Sequence, residues 1–352
     1  MRFCERYPDI CERFDRFWRG ADTDRPLLFI AAPKDEPDDS VAPPALERPE
    51  DRVLPEKMVA QARYRLARTA YHAEGYPHFF VNFGPGVLHA CIGGDADFSS
   101  MDTTWFPQFL SDISEFTSLR FQPEGKWWTA IRRATGALLD ELGEELVVSF
   151  TDIGGAADIL ASAVGTEQLL LDVIERPEVV EQAVDHCHDL WMEAYEANCQ
   201  WFVGRQDVTT PWWPILSRGR TYMTQCDLNA MISPQAFSDL FVEELGAIYA
   251  VLDHGAYHLD GIGTEGQAPA LLAQEGLHCV QWVPEPETSA LKHRKMLREI
   301  QEAGVAVTFV MKPEEVERAC REFDPRRLML NVECRSEAEA KELIDNTLRW
   351  CA

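Results

Sequence analysis

The chain has 352 residues, 46% of them hydrophobic, and no run of about 18 apolar residues, so a large core is available and no membrane-crossing helix is expected. A formal net charge of −26 excludes the basic stripe that nucleic acids and anionic membrane surfaces require. The ten cysteines contain no Cys-x-x-Cys pair, which excludes a zinc ribbon or thioredoxin motif, and the N-terminus has neither an apolar signal core nor an acid-free presequence, which predicts a cytoplasmic protein.

Residues 3–18 place Phe3, Tyr7, Ile10, Phe14, Phe17 and Trp18 at steps of three and four, the pattern of an amphipathic helix that flanks or caps the main body. Residues 26–32 read as a buried strand and 33–50 as a long loop rich in Pro, Asp and Glu. A helix is expected over 54–73, then a strand over 77–83 that runs into the tight bend Gly84-Pro85-Gly86. Residues 93–145 read as a helical insertion, with one helix at 126–142. The strand at 146–150 ends in Thr151-Asp152-Ile153-Gly154-Gly155. Helices follow over 156–163, 166–175 and 177–197, the last starting at Pro177. His186 and His188 lie on it two apart, do not share a face, and are read as structural or solvent-facing.

Residues 207–227 combine Trp212 and Trp213, Arg218 and Arg220, and a strand ending at Gln225 and Asp227. Two readings stand: a pocket wall with aromatic area and anion-gripping arginines, or an aromatic core segment with exposed arginines. Ser233-Pro234 opens a helix to about 253. Strands are then expected at 257–261, 277–284, 305–310 and 328–332, with helices at 266–275, 288–303, 313–321 and after Ser336. From Thr221 onward strand and helix alternate, which implies parallel strands with right-handed crossovers. With the three earlier strands this makes eight, besides a further strand near 201–209. The fold class is therefore α/β, a (β/α)8 TIM barrel with extra N-terminal helices, forming one domain over 1–352. A doubly wound sheet is the alternative, but no Gly-x-Gly-x-x-Gly follows a strand.

Barrel enzymes gather functional groups at strand C-termini, which selects Asn82, Asp152, Gln225, Asp227, His258, Asp260, Gln281 and Glu333. His258 and Asp260 are two apart on one strand and share a face. His258, Asp260, Glu333 and Cys334 offer residue types of a catalytic metal site, zinc above all; a buried His bonded to a carboxylate without metal is the plainer reading. Asp152, Asp227, Asp260 and Glu333 at one mouth would repel one another and raise at least one pKa, which suits a general acid, with His258 moving the proton.

At Trp213, Ser217-Arg218-Gly219-Arg220-Thr221-Tyr222, Gln225-Cys226-Asp227, Tyr257-His258-Leu259-Asp260-Gly261 and Gln281-Trp282-Val283-Pro284 the chain resembles the uroporphyrinogen decarboxylase superfamily, from the Gly84-Pro85-Gly86 turn to the C-terminus. The resemblance implies a barrel, often dimeric, with its site at the strand C-termini. It implies one of two chemistries: decarboxylation of a porphyrinogen, or zinc-dependent methyl transfer to or from a corrinoid or thiol. The decarboxylase's tetrapyrrole-binding arginine segment is replaced here by Phe29-Ile30-Ala31-Ala32-Pro33, its early-strand Asp by Asn82, and its late Gly-His-Gly by Val332-Glu333-Cys334. The methyltransferases' His-x-Cys plus a later Cys corresponds to His258-Leu259-Asp260 plus Glu333-Cys334.

The expected function is accordingly methyl transfer from a small methylated substrate to a corrinoid partner protein or a thiol. Asp227, His258 and Asp260 would be catalytic, with metal held by His258, Asp260 and Glu333 or Cys334. Asn82, Asp152, Trp212, Trp213, Arg218, Tyr222, Gln225 and Gln281 would contact substrate. The alternatives are a carboxy-lyase whose Arg218 and Arg220 grip carboxylates, and a non-catalytic corrinoid- or tetrapyrrole-binding protein.

Overall fold

The computed structural model describes residues 5–261 and 263–351; Phe3 and Cys4 of the expected first helix lie outside them. The described residues form nine strands: β1 Leu27–Pro33, β2 Thr69–Ala73, β3 His78–Phe79, β4 Val147–Val148, β5 Thr221–Gln225, β6 His254–Asp260, β7 Leu277–Val283, β8 Ala306–Met311 and β9 Leu328–Glu333. The main helices are α1 Tyr7–Arg19, α2 Pro55–Arg68, α3 Leu88–Cys91, α4 Lys126–Leu142, α5 Ala156–Val164, α6 Thr166–Glu175, α7 Pro177–Gln200, α8 Pro234–Leu240, α9 Val242–Tyr249, α10 Ala268–Leu272, α11 Arg294–Glu302, α12 Val316–Glu322 and α13 Glu337–Cys351. Among the described residues no helix is long and apolar enough to cross a membrane.

The strands make a seven-stranded sheet in the order β2-β1-β9-β8-β7-β6-β5 and a two-stranded ribbon, β3-β4. All pairings are parallel except β1 with β2. The expected eight-stranded barrel is thus barrel-like in arrangement, but its backbone ladder does not close. Beyond β5 the gap to β4 is bridged by residues 206–219. There the Gln206 amide bonds both the N–H and the C=O of Val148, Phe150 N–H donates to Thr210 O, and Thr209 pairs with Ser217. A side-chain amide stands where a strand would have run near 201–209. On the other side, β1 meets the ribbon through rings, with Phe29 5.8 Å from His78.

Two expected helices are shorter than their patterns. Residues 69–73 leave the helix and add an antiparallel strand to the free edge of β1, a conformation that Thr69 and Tyr71 favour. The segment from Ser233 to 253 breaks at Phe241 into α8 and α9. The insertion 93–145 is largely irregular before α4.

Alternation along the strands sorts side chains into a lumen and an outer layer. Met223, Ala256, Cys279 and Ala306 are register partners on β5 to β8 and form a buried apolar row with Phe29, Val147 and Met329. The small Ala256, Cys279 and Ala306 leave room beneath, and α1 fills it with Tyr7, Ile10, Cys11, Phe14, Phe17 and Trp18. The amphipathic N-terminal helix is therefore the floor of the lumen. The outward faces of the strands pack on the helices in a second, larger core.

Phe14 has no solvent exposure within that floor. Phe14→Ala should cost about 3–5 kcal/mol in guanidinium unfolding. A loss below about 1 kcal/mol would mean that α1 only decorates the barrel.

Candidate functional site

One register step above the apolar row the lumen turns polar. Gln225, His258, Gln281 and Thr308 are consecutive register partners on β5, β6, β7 and β8. His258 Nδ1 lies 2.7 Å from Gln281 Oε1. An amide oxygen only accepts, so Nδ1 carries the proton and the lone pair of the neutral ring sits on Nε2. Asp260 Oδ2 is 3.8 Å from that Nε2, and its side chain is half exposed at the mouth. Trp212 meets His258 edge-on, ring centroids 5.0 Å apart, and the Trp213 indole N–H donates to Thr308 Oγ1 at 3.2 Å. The tryptophan pair lines the lumen wall around His258 and packs on the apolar row below it. Trp212 Nε1, Ser149 Oγ and Thr151 Oγ1 are buried without hydrogen-bond partners, so hydrogen-bonding capacity remains unspent.

A carboxylate cluster surrounds the first turn of α5, beside the end of β5. Asp152 accepts from Gly154 N–H at 2.8 Å and from the Tyr222 hydroxyl at 3.2 Å. Glu244 on α9 accepts from Ala156 N–H at 3.2 Å. Asp158 accepts from the N–H groups of Asp227 and Leu228. Burial pushes Asp152 up to about 6 and Glu244 up to about 8, against the backbone N–H bonds that pull both down. Burial and mutual repulsion likewise raise Asp158. Asp227 reaches solvent yet is ringed by protein on its pocket side; burial raises it, His258 lowers it and Asp260 raises it further. The repulsion expected among strand-end carboxylates is thus felt at Asp152 and Asp227. Asp158 and Glu244 escaped the sequence reading because helix packing, not a strand end, delivers them. Thr308 was within reach of it, since alternation along β8 places it level with Gln281.

Other expected site residues sit elsewhere. Arg218 precedes β5 at the N-terminal end, opposite the mouth, and pairs with Asp15 of α1; Arg220 pairs with Glu196 of α7. Neither arginine grips a ligand at the mouth. Tyr222 faces outward, 1% exposed, with its ring against Trp191 and its hydroxyl accepting from Ile153 N–H, so it positions the Asp152 loop and does not line a pocket. Asn82 is exposed and its side-chain oxygen accepts from Gly84 N–H at 2.9 Å, which tightens the bend. That bend packs against the second glycine loop: a Cβ on Gly154, held at φ +78°, would come 2.7 Å from Gly86 Cα. Gly86 and Gly154 make this approach, while Gly155 admits the Gln225 carbonyl. His186 is structural, with Nε2 3.0 Å from Leu119 O.

The four expected metal ligands do not gather. Cys334 follows Glu333 and by alternation turns to the outer core, where burial pushes its thiol up to about 11. Glu333 is on β9, three strand spacings from His258 on β6. Among the described residues no three His, Cys, Asp or Glu side chains are placed to hold a metal ion. His258 and Asp260 alone do not make the set that zinc requires.

No protein-family model matches the chain, and no curated protein matches it significantly. Among solved structures, a methyltransferase from Methanosarcina mazei is similar in fold, with a TM-score of 0.63 over 97% of this chain and 99% of that one at 13% sequence identity.

The raised carboxyls make stability fall with pH. A carboxyl whose folded pKa exceeds its unfolded value stabilises fully below the unfolded value and loses that contribution as pH rises through the folded one. Glu244→Gln, which keeps an acceptor for Ala156 N–H, should match the parent in Tm near pH 5, exceed it by a growing margin as pH rises toward about 8, and hold that margin above. A constant Tm difference across that range would contradict a buried, proton-holding Glu244.

Proposed function

We propose that this chain is an enzyme that transfers a methyl group from a small methylated substrate to a thiol, with the reaction at the open end of the barrel-like sheet. The observation that carries the reading is the imidazole of His258, held by Gln281 in the polar row near the strand C-termini, and the likeness in fold to a methyltransferase supports it. Gln281 holds Nδ1–H, so Nε2 is the free acceptor and faces the side where Asp260 stands.

A thiol is a poor nucleophile until its proton leaves. His258 Nε2 takes that proton; the thiolate attacks the methyl carbon as the bond to the leaving atom breaks with its electron pair. Asp260 stabilises the imidazolium across 3.8 Å. Trp212 and Trp213 exclude water and restrict the approach. A corrinoid acceptor has no proton to surrender, so the presence of a positioned base favours the thiol among the acceptors considered. The donor set does not fit zinc, and no step passes through a metal. The arginines lend the lyase reading no support, because both pair away from the mouth.

The test uses the whole chain with 2-mercaptoethanol and a panel of 13C-methyl donors: methanol, methylamines, dimethyl sulfide and tetramethylammonium. A 13CH3–S signal should grow with the parent and slow by about 100-fold or more in His258→Ala. No transfer from any donor, or transfer unchanged in the variant, would overturn the proposal.

A further inference from the structure

Beside the end of β5 a cavity of about 460 Å³ opens between the 103–108 loop and α5. Its lining holds two carboxylates, Asp158 and Asp227, and no Lys, Arg or His. Asp158 already accepts the N–H groups of Asp227 and Leu228, and burial with the repulsion of Asp227 raises its affinity for a proton, which leaves Asp227 as the carboxylate free to meet a cation. The Asp227 carboxylate has no hydrogen-bond or ion-pair partner among the described residues. Gln225 lines the same cavity at 6% exposure, and its side-chain amide is likewise unpartnered. A buried amide left unpaired toward a cavity is a group waiting for a ligand.

The lips of the cavity carry Trp105 and Met231, 64% and 55% exposed. An indole held out to water over an acidic hollow suits a cation whose charge is spread over methyl groups. Carboxylates crowded against protein repel each other, and a cation relieves that repulsion. An anion would meet the same charges unfavourably, and a neutral ligand would leave them uncompensated.

We propose that this cavity binds a quaternary ammonium cation, with Asp227 as its ion-pair partner, Trp105 as its aromatic face and Gln225 as a hydrogen-bonding contact for a polar substituent. Its role as the methyl donor rests on the methyl-transfer reading above. His258 is not in the lining, but Gln225 and His258 are register partners on neighbouring strands about 4.8 Å apart, so the cavity adjoins the strand that carries the imidazole. The chemistry balances without an acid. His258 takes the thiol proton, the thiolate forms the S–C bond, and the C–N bond breaks with its electron pair staying on a neutral tertiary amine.

The test is calorimetric titration of the full chain with choline and with 3,3-dimethyl-1-butanol, which has the same shape and no charge. Choline should bind about 10-fold or more tightly than the alcohol. Asp227→Asn should abolish that preference, and Trp105→Ala should weaken choline several-fold. Both side chains reach solvent, so both variants should keep the parent's Tm. Equal binding of the two probes, binding of neither, or choline affinity unchanged in Asp227→Asn would overturn the proposal. Binding is read without turnover, so the two readings fail separately. Methyl transfer from neutral donors with no choline binding removes the cation and leaves the transferase. Choline binding with no transfer from any donor keeps the cation site and removes the transferase.

Discussion

The hydrogen bond between His258 and Gln281 depends on register. Parallel pairing of β5 to β8 sets four polar residues level with one another, one step above four apolar ones. A slip of one residue in any of these strands would turn its polar group outward and its neighbour inward. The small side chains of the lower row leave space for α1, and among the described residues α1 covers that end, while the end that carries His258 is polar. Floor, row and mouth are consequences of the same alternation.

A second constraint acts beside the first. The glycine loop before α5 offers an N–H to Asp152, the first residue of α5 offers one to Glu244, and Asp158 in that turn takes the N–H groups of Asp227 and Leu228. These bonds hold buried carboxyls in place at a cost in solvation, which shows as raised affinity for protons. The cluster adjoins both the polar row, through Gln225, and the cavity, through Asp158 and Asp227. A fold that bore this charge for nothing would be less stable than one with apolar residues there.

Much of this frame is legible from residues alone. The three- and four-residue spacing of Tyr7, Ile10, Phe14, Phe17 and Trp18 announces α1, and the strand–helix rhythm after Thr221 announces β5 to β9. The strand-end rule finds Gln225, His258, Asp260 and Gln281. Reading 207–227 as one pocket wall misplaces Arg218, because it precedes β5 and stands at the opposite end of that strand from Gln225. Grouping Cys334 with the metal ligands fails because one residue beyond Glu333 is enough to change face. At β2 the strand preference of Thr69 and Tyr71 is masked by the helical pattern that precedes it, and the 206–219 bridge and Glu244 carry little local signal. Each is fixed by what it packs on: the open edge of β1, the gap beside β4, and the first turn of α5.

The central claim is that Gln281 fixes which nitrogen of His258 faces the mouth, and the 15N NMR signals of that imidazole test it most directly. In protein labelled at histidine and held at a pH where the ring is neutral, Nδ1 should give the protonated signal and Nε2 the unprotonated one, with the balance moving toward an even mixture in Gln281→Ala. A ring protonated mainly at Nε2 in the parent would leave no base at the mouth and would contradict the account.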